Sequence, residues 1–232
     1  MKYRSNLRCP DLEPAFAHAF SEPYGCGHDV MRDRDFQPGC GYMHHDEAAI
    51  LYHVAKAVGG DWIEIGTHTG WSAAHVALGA SSVAGIDPQL SKPDFWARTN
   101  ENLTAAGVRE RVQLWPVTSA EFFASYVASH VDGVVVDGCH TAPAPLEDAR
   151  MALKALKPRG AVVFHDCVGS PVFDGVQYLV NNGFKFRVYN TPQRLTACWR
   201  GDIEMPFHIP DPAIDWAVWR ERVLPLDITK ES

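Results

Sequence analysis

Apolar residues recur along this chain in two rhythms, and their alternation predicts its elements. From Asp46, which reads as an N-cap, Ile50, Leu51, Val54, Ala55 and Val58 repeat at the spacing of one helix face until Gly59-Gly60 stops it. Trp62, Ile63 and Ile65 then form a short β-branched and aromatic run, as a buried strand requires. Gly66 ends that strand, Trp71 to Leu78 reads as a helix closed by Gly79, and Val83 to Asp87 is a second strand ending in an acid. Downstream, a helix is expected over about Asp94 to Ala106, a strand over Val112 to Pro116, and a helix from an N-cap at Ser119 to Ser129.

Val131 to Asp137 is a buried strand, Pro145 to Leu156 a helix, Lys157 to Gly160 a turn, and Ala161 to Phe164 a strand running into His165-Asp166. A helix over Val172 to Asn182 precedes two strands, Phe184 to Tyr189 and Leu195 to Trp199, read as an antiparallel hairpin. Strands that alternate with helices and close on such a pair predict an α/β fold: a doubly wound, Rossmann-like, seven-stranded, mostly parallel sheet with an antiparallel edge hairpin. The chain reads as one domain: an arm over residues 1–45 with a helical turn near Leu12 to Phe20, a core over 46–200, and a Pro-rich tail over 201–232 with a short helix near Ile214 to Trp219.

Composition narrows the class. With 232 residues, 46% apolar and 21% charged, the chain suffices for one substantial core. A net charge of −7 with no Lys/Arg run argues against nucleic acid as partner. No apolar stretch approaches ~18 residues, so no membrane span is expected. The N-terminus lacks the apolar segment of a secretory signal, and a cytoplasmic location is expected. Six scattered cysteines give no disulfide framework. Cys26, His28, Cys40, His44 and His45 offer zinc-type ligands within twenty residues, but at no finger spacing, so ordinary loop residues are the alternative.

Strand, glycine turn, helix and a second strand ending in Asp87 form half of a nucleotide-binding unit. A dinucleotide fingerprint needs G-x-G-x-x-G; here the pattern is Glu64-x-Gly66-x-x-x-Gly70, with Thr67, His68 and Thr69 in the turn and no Walker lysine after it. The bend suits an adenosine without phosphates, and Asp87 stands where a carboxylate meets ribose hydroxyls. Glu64-x-Gly66 resembles motif I of the class I S-adenosylmethionine-dependent methyltransferases. That resemblance implies S-adenosylmethionine as cofactor, held by Glu64, Gly66, Thr67, Gly70, Asp87, Ser119 and Asp137. For Ser119, contact with adenine and simple helix capping both stay open.

Two later strands also end in titratable groups, Asp137 with His140 and His165 with Asp166. Asp137-Gly138-Cys139-His140, Asp148, Leu156-Lys157-Pro158, Gly160 and His165-Asp166 resemble the methyltransferase family labelled type 24. The similarity runs from about Ile63 to Cys167; Ala142 replaces a usual aromatic, and Arg159 the first glycine of a pair. Relatives of this arrangement include metal-dependent O-methyltransferases of catechols and sugars. The resemblance therefore implies Asp137, His165 and Asp166 as ligands of a divalent metal, although His165 stands where magnesium would have an acid and suits manganese or zinc better. The alternative is a metal-free cluster held by hydrogen bonds.

A sulfonium methyl is already electrophilic, so the protein's task is to align and deprotonate the acceptor. His140 is the candidate base, with His165 second and Asp137 beside them, and the acceptor is expected to be a hydroxyl of a small molecule. The aromatics Tyr24, Tyr42, Trp216 and Trp219 suit a ring-containing acceptor or ordinary packing; a homo-oligomer is equally compatible. The rival readings are a nicotinamide-dependent oxidoreductase, which lacks its second and third glycines here, and a non-catalytic module that keeps the fold.

Overall fold

Each short β-branched run becomes a strand of one sheet in the computed structural model of the protein, which describes residues 5–16, 43–125, 130–167, 170–191 and 193–210. The elements are α1 (His45–Val58), β1 (Asp61–Ile65), α2 (Trp71–Gly79), β2 (Ser82–Ile86), α3 (Pro93–Ala105), β3 (Val112–Trp115), α4 (Ser119–Ser125), β4 (Val131–Val136), α5 (Ala144–Ala155), β5 (Leu156–Phe164), α6 (Ser170–Asn181), β6 (Lys185–Val188) and β7 (Thr196–Arg200). Short 3-10 turns lie at Glu13–Phe16, Pro88–Ser91 and Arg109–Arg111. The strand order is β3-β2-β1-β4-β5-β7-β6, with β7 antiparallel to β5 and β6 and the other pairs parallel. This is the expected doubly wound sheet with an antiparallel edge.

Register decides what the fold delivers. Ile65 pairs with both Ile86 and Val136, and Val136 pairs with Phe164. The residues that follow these four, Gly66, Asp87, Asp137 and His165, therefore emerge side by side at the carboxyl edge. The order reverses between β1 and β4, which opens a crevice at that edge, the place where doubly wound sheets bind ligands.

Two apolar layers hold the sheet. Trp62, Val83, Leu114, Val135 and Val163 face α1 and α2, while Ile63, Ile65, Val134, Val136, Val162 and Phe164 face α4, α5 and α6. The alternation is that of strands buried on both faces. Gly133 on β4 is glycine because a Cβ there would lie 2.3 Å from the Trp62 ring.

Several local expectations change. Asp46 is not the cap of α1: His44 is, accepting the Asp46 N–H through Nδ1 at 3.1 Å, while Glu47 accepts the His44 N–H at 2.9 Å. Burial explains this, since Asp46 is 2% exposed and pairs with His208 Nε2 at 3.2 Å. Lys157 to Gly160 is extended strand rather than turn: Lys157 Nζ binds Asp132 at 2.7 Å, and Arg200 donates to the carbonyls of Leu156 and Lys157. The described part of the Leu12 to Phe20 segment is a 3-10 turn; residues 17–20 lie outside the described residues, as do 126–129 of the expected α4 and the tail helix near Ile214 to Trp219. Among the described residues no helix is long and apolar enough to cross a membrane.

Both ends of the described chain close over the α1 face. Leu12, Phe16, Met43, Ile203 and Met205 join that core layer, and Asn6 binds Phe207 and Ile209 through side chain and backbone.

Candidate active site

The bend after β1 is built by backbone. The N–H groups of Gly66 and Thr67 both donate to the Ile86 carbonyl, at 2.8 and 3.2 Å. Gly66 has φ 93°, and a Cβ there would stand 2.1 Å from the Asp137 carbonyl oxygen, so the bend touches the end of β4. Gly70, also at positive φ, caps α2. Asp87 closes the bend from β2: its carboxylate accepts the His68 N–H and the Gln89 N–H, both at 2.8 Å. Each oxygen keeps a lone pair for a further donor. From α3, Thr99 donates to the His68 carbonyl and Asn102 to the Thr69 carbonyl, each at 3.1 Å. His68 lies in the bend itself with φ 47° and its ring edge-on to Phe95.

Glu64 is fully buried beside this bend. Neither carboxyl oxygen makes a hydrogen bond of normal geometry among the described residues, and the hydroxyl oxygens of Thr67 and Thr69 are buried without a partner as well. Burial pushes the Glu64 carboxyl from its ordinary 4.5 up to about 8; the nearby Ser72 and Thr67 hydroxyls offset part of this, and the charges of Asp137 and Asp87 add to it. A buried acid whose oxygens lack well-formed hydrogen bonds among the described residues suits a cationic or hydrogen-bonding ligand group. S-adenosylmethionine fits that requirement, because its amino group is a cation of the right kind for Glu64 and its ribose for Asp87.

Ser119 is not the cap of α4. Thr118 caps α4 in a reciprocal arrangement with Glu121, and the Ser119 hydroxyl donates to Asp148 Oδ1 on α5 at 2.6 Å. Burial raises the Asp148 pKa, and the Ser119 hydrogen bond partly offsets it.

Across the crevice, β4 and β5 end in four interacting groups. His165 is fully buried, with Nδ1 3.1 Å from Asp137 Oδ1 and 3.2 Å from Asp166 Oδ2. Its Nε2 lies 3.1 Å from Oε2 of Glu47, a fully buried residue that sequence reasoning did not single out. Burial alone would lower the His165 pKa, but the charges of Asp137, Asp166 and Glu47 reverse this and hold it well above the ordinary value. Burial likewise would raise Asp137, and His165 and His140 bring it below the usual carboxylate range. Asp166 adopts a left-handed backbone, φ 56°, which turns its side chain toward the cluster.

His140, 42% exposed, presents Nε2 to Asp137 at 3.6 Å and Nδ1 to Asp166 at 3.4 Å. The adjacent Asp137 carboxylate raises its pKa, against burial and with help from the charge of Asp166. The donors that converge within 4.8 Å of one another belong to Asp137, His140 and Asp166, so His140 takes the place in the ligand set that the sequence expectation gave to His165. Both nitrogens of His165 are already committed to carboxylates, Nδ1 to the two acids of that set and Nε2 to Glu47 behind it. Two acids and an exposed imidazole fit a divalent transition ion.

Of the suggested zinc ligands, Cys26, His28 and Cys40 lie outside the described residues, as do Tyr24, Tyr42, Trp216 and Trp219; His44 uses Nδ1 as a helix cap. A separate groove of 610 Å³ runs along β1 to β3 past Ala84, Trp115 and Phe122 and reaches none of the strand-end groups.

Residues 63–167 match a family model described as a methyltransferase domain. That part of the chain is similar to this family. The matched segment starts on β1 and ends just past Asp166, so it contains the bend and the four-group cluster but not Glu47. No curated protein matches the chain in sequence. Among solved structures, the chain is similar to the O-methyltransferase TomG from Streptomyces achromogenes, involved in tomaymycin synthesis and solved with S-adenosylmethionine (17% identity, 84% of this chain and 92% of that one, TM-score 0.60). It is also similar to an O-methyltransferase from Bacillus cereus in complex with S-adenosylhomocysteine (14% identity, 82% of this chain and 90% of that one, TM-score 0.56). A precorrin-8w decarboxylase from Methanobacterium thermoautotrophicum shares the fold too (17% identity, 69% of this chain and 91% of that one, TM-score 0.54). At these identities the likeness establishes the fold and leaves the acceptor to the chemistry of the site.

Proposed function

We propose that this methyltransferase domain takes its methyl group from S-adenosylmethionine and transfers it to a hydroxyl of a small molecule. The observation that carries the reading is the pairing, across one crevice, of the buried Glu64, whose oxygens lack well-formed hydrogen bonds among the described residues, with the Asp137–His140–Asp166 cluster. The O-methyltransferases among the structural relatives support oxygen as the acceptor atom.

The donor, when bound, supplies an electrophilic methyl on a sulfonium that departs as a neutral thioether. Glu64 then pairs with the donor's amino group and Asp87 with its ribose, while the Gly66 bend passes beneath it. On the other side, His140 accepts the acceptor's hydroxyl proton as the oxygen attacks, and Asp137 and Asp166 stabilise the resulting imidazolium. The convergence of Asp137, His140 and Asp166 favours a second reading of the same cluster, in which the three hold a divalent ion that lowers the acceptor's pKa.

Calorimetry with S-adenosylhomocysteine and, separately, NAD(H), followed by mass spectrometry of catechol and sugar acceptors, tests the proposal. Binding of the thioether alone, a 14-dalton product gain (one methyl replacing hydrogen, roughly) and a loss of ~100-fold or more in His140→Ala are expected. Affinity for NAD(H) instead contradicts the reading. EDTA separates the two roles of the cluster: activity abolished and restored by manganese means an ion, and activity unchanged means His140 alone.

A further inference from the structure

Glu47 looks at first like the N3 member of a capping box, a role that needs one hydrogen bond, to the His44 N–H. It does more than that role requires. Its side chain is fully buried; Oε1 accepts the Gln193 N–H from the β6–β7 turn at 2.9 Å, and Oε2 faces His165 Nε2 at 3.1 Å as well as the His44 N–H. A buried carboxylate persists only with such partners, and these come from segments 118 and 146 residues away.

The geometry of His165 shows what the contact does. Its Nδ1 is shared almost equally by Asp137 and Asp166, at 3.1 and 3.2 Å. The Nδ1 end does not by itself select that shared position, because turning the ring toward either acid would shorten one bond and lose the other. The anchor at Nε2 fixes it. The same two oxygens, Asp137 Oδ1 and Asp166 Oδ2, are those facing His140 at 3.6 and 3.4 Å. A continuous path thus runs from Glu47 through His165 to the two acids and the exposed imidazole.

We propose that Glu47 is a positioning residue for methyl transfer, acting through His165 to hold Asp137 and Asp166 at the spacing His140 requires. This rests on the methyltransferase reading above. Its test compares the full chain with Glu47→Gln, which keeps the shape but puts an amide against a ring nitrogen, and with His44→Ala, which removes the side-chain half of the cap and leaves the Glu47–His165 contact in place. In Glu47→Gln, kcat on an acceptor found for the wild type falls ten- to a hundredfold, while the affinity for S-adenosylhomocysteine stays within twofold. In His44→Ala, kcat stays within twofold. Equal losses of kcat in both variants, or none in Glu47→Gln, overturn the proposal.

Imidazole nitrogen NMR supplies a reading that needs no acceptor: the His165 Nε2 resonance moves in Glu47→Gln and not in His44→Ala. If Glu47→Gln fails to fold, the wild type decides, since the proposal requires a His165 Nε2 proton protected from exchange at neutral pH, and a freely exchanging one overturns it. A wild type that binds no S-adenosylhomocysteine sinks the methyltransferase reading, while the NMR result still settles whether Glu47 holds His165.

Discussion

Glu64 is where a single side chain ties stability to ligand binding. With its pKa raised from 4.5 to about 8 by burial, the folded protein holds a proton that the unfolded chain releases between those values. Its contribution to stability is therefore full below the lower value and is lost as pH rises through about 8. Thermal unfolding of the ligand-free protein should show a midpoint falling from pH 6 to pH 9, with much of that slope absent in Glu64→Gln. Affinity for S-adenosylhomocysteine should rise with pH over the same window in the wild type, as the ionised carboxylate becomes available to an amino group. In Glu64→Gln it should be flatter and about tenfold weaker, the ~1.4 kcal/mol expected of a charged hydrogen bond. A pH-independent affinity in the wild type would contradict the role given to Glu64. This residue was legible in the sequence because Glu64-x-Gly66 at a strand end resembles motif I of the class I methyltransferases. Glu47 was not: an acid in the first turn of an amphipathic helix is ordinary, and only tertiary packing reveals that it meets His165. The exchange between His140 and His165 was hidden for the same reason, since sequence orders residues along strands but does not say which ring lies behind an acid and which in front.

At the scale of elements, the βαβ unit around Gly66 carries the most information per residue. Gly66→Ala should destabilise the protein by ~3 kcal/mol or more, because it combines a left-handed backbone with a Cβ 2.1 Å from the Asp137 carbonyl oxygen. Denaturant unfolding measures it, and a loss below about 1 kcal/mol would show that the bend and the β4 terminus are not locked together. Element existence and type followed from periodicity alone, as in α1, β1, β4 and the β6–β7 pair. The misses lie where a side chain from elsewhere overrides a local signal. Lys157 to Gly160 has turn composition, yet Asp132 and Arg200 satisfy it as strand; Asp46 and Ser119 have capping chemistry, yet His208 and Asp148 draw them away.

For the molecule as a whole, register is what converts a fold into a site. Four strands ending level place Gly66, Asp87, Asp137 and His165 along one edge, and left-handed residues outside glycine, His68, Asp166 and Arg194, lie in the segments at that same edge. The strand ends face each other across the switch point, with the bend on one side and the titratable cluster on the other. Residues before α1 and after β7 contribute to the α1-side core through Leu12, Phe16, Ile203 and Met205. The most direct test of the whole account is a crystal structure of the protein with S-adenosylhomocysteine. The account predicts the amino group on Glu64, directly or through one water, the ribose hydroxyls on Asp87, and the thioether sulfur facing His140. A ligand lodged elsewhere, or a bend filled by the protein's own side chains, would contradict it.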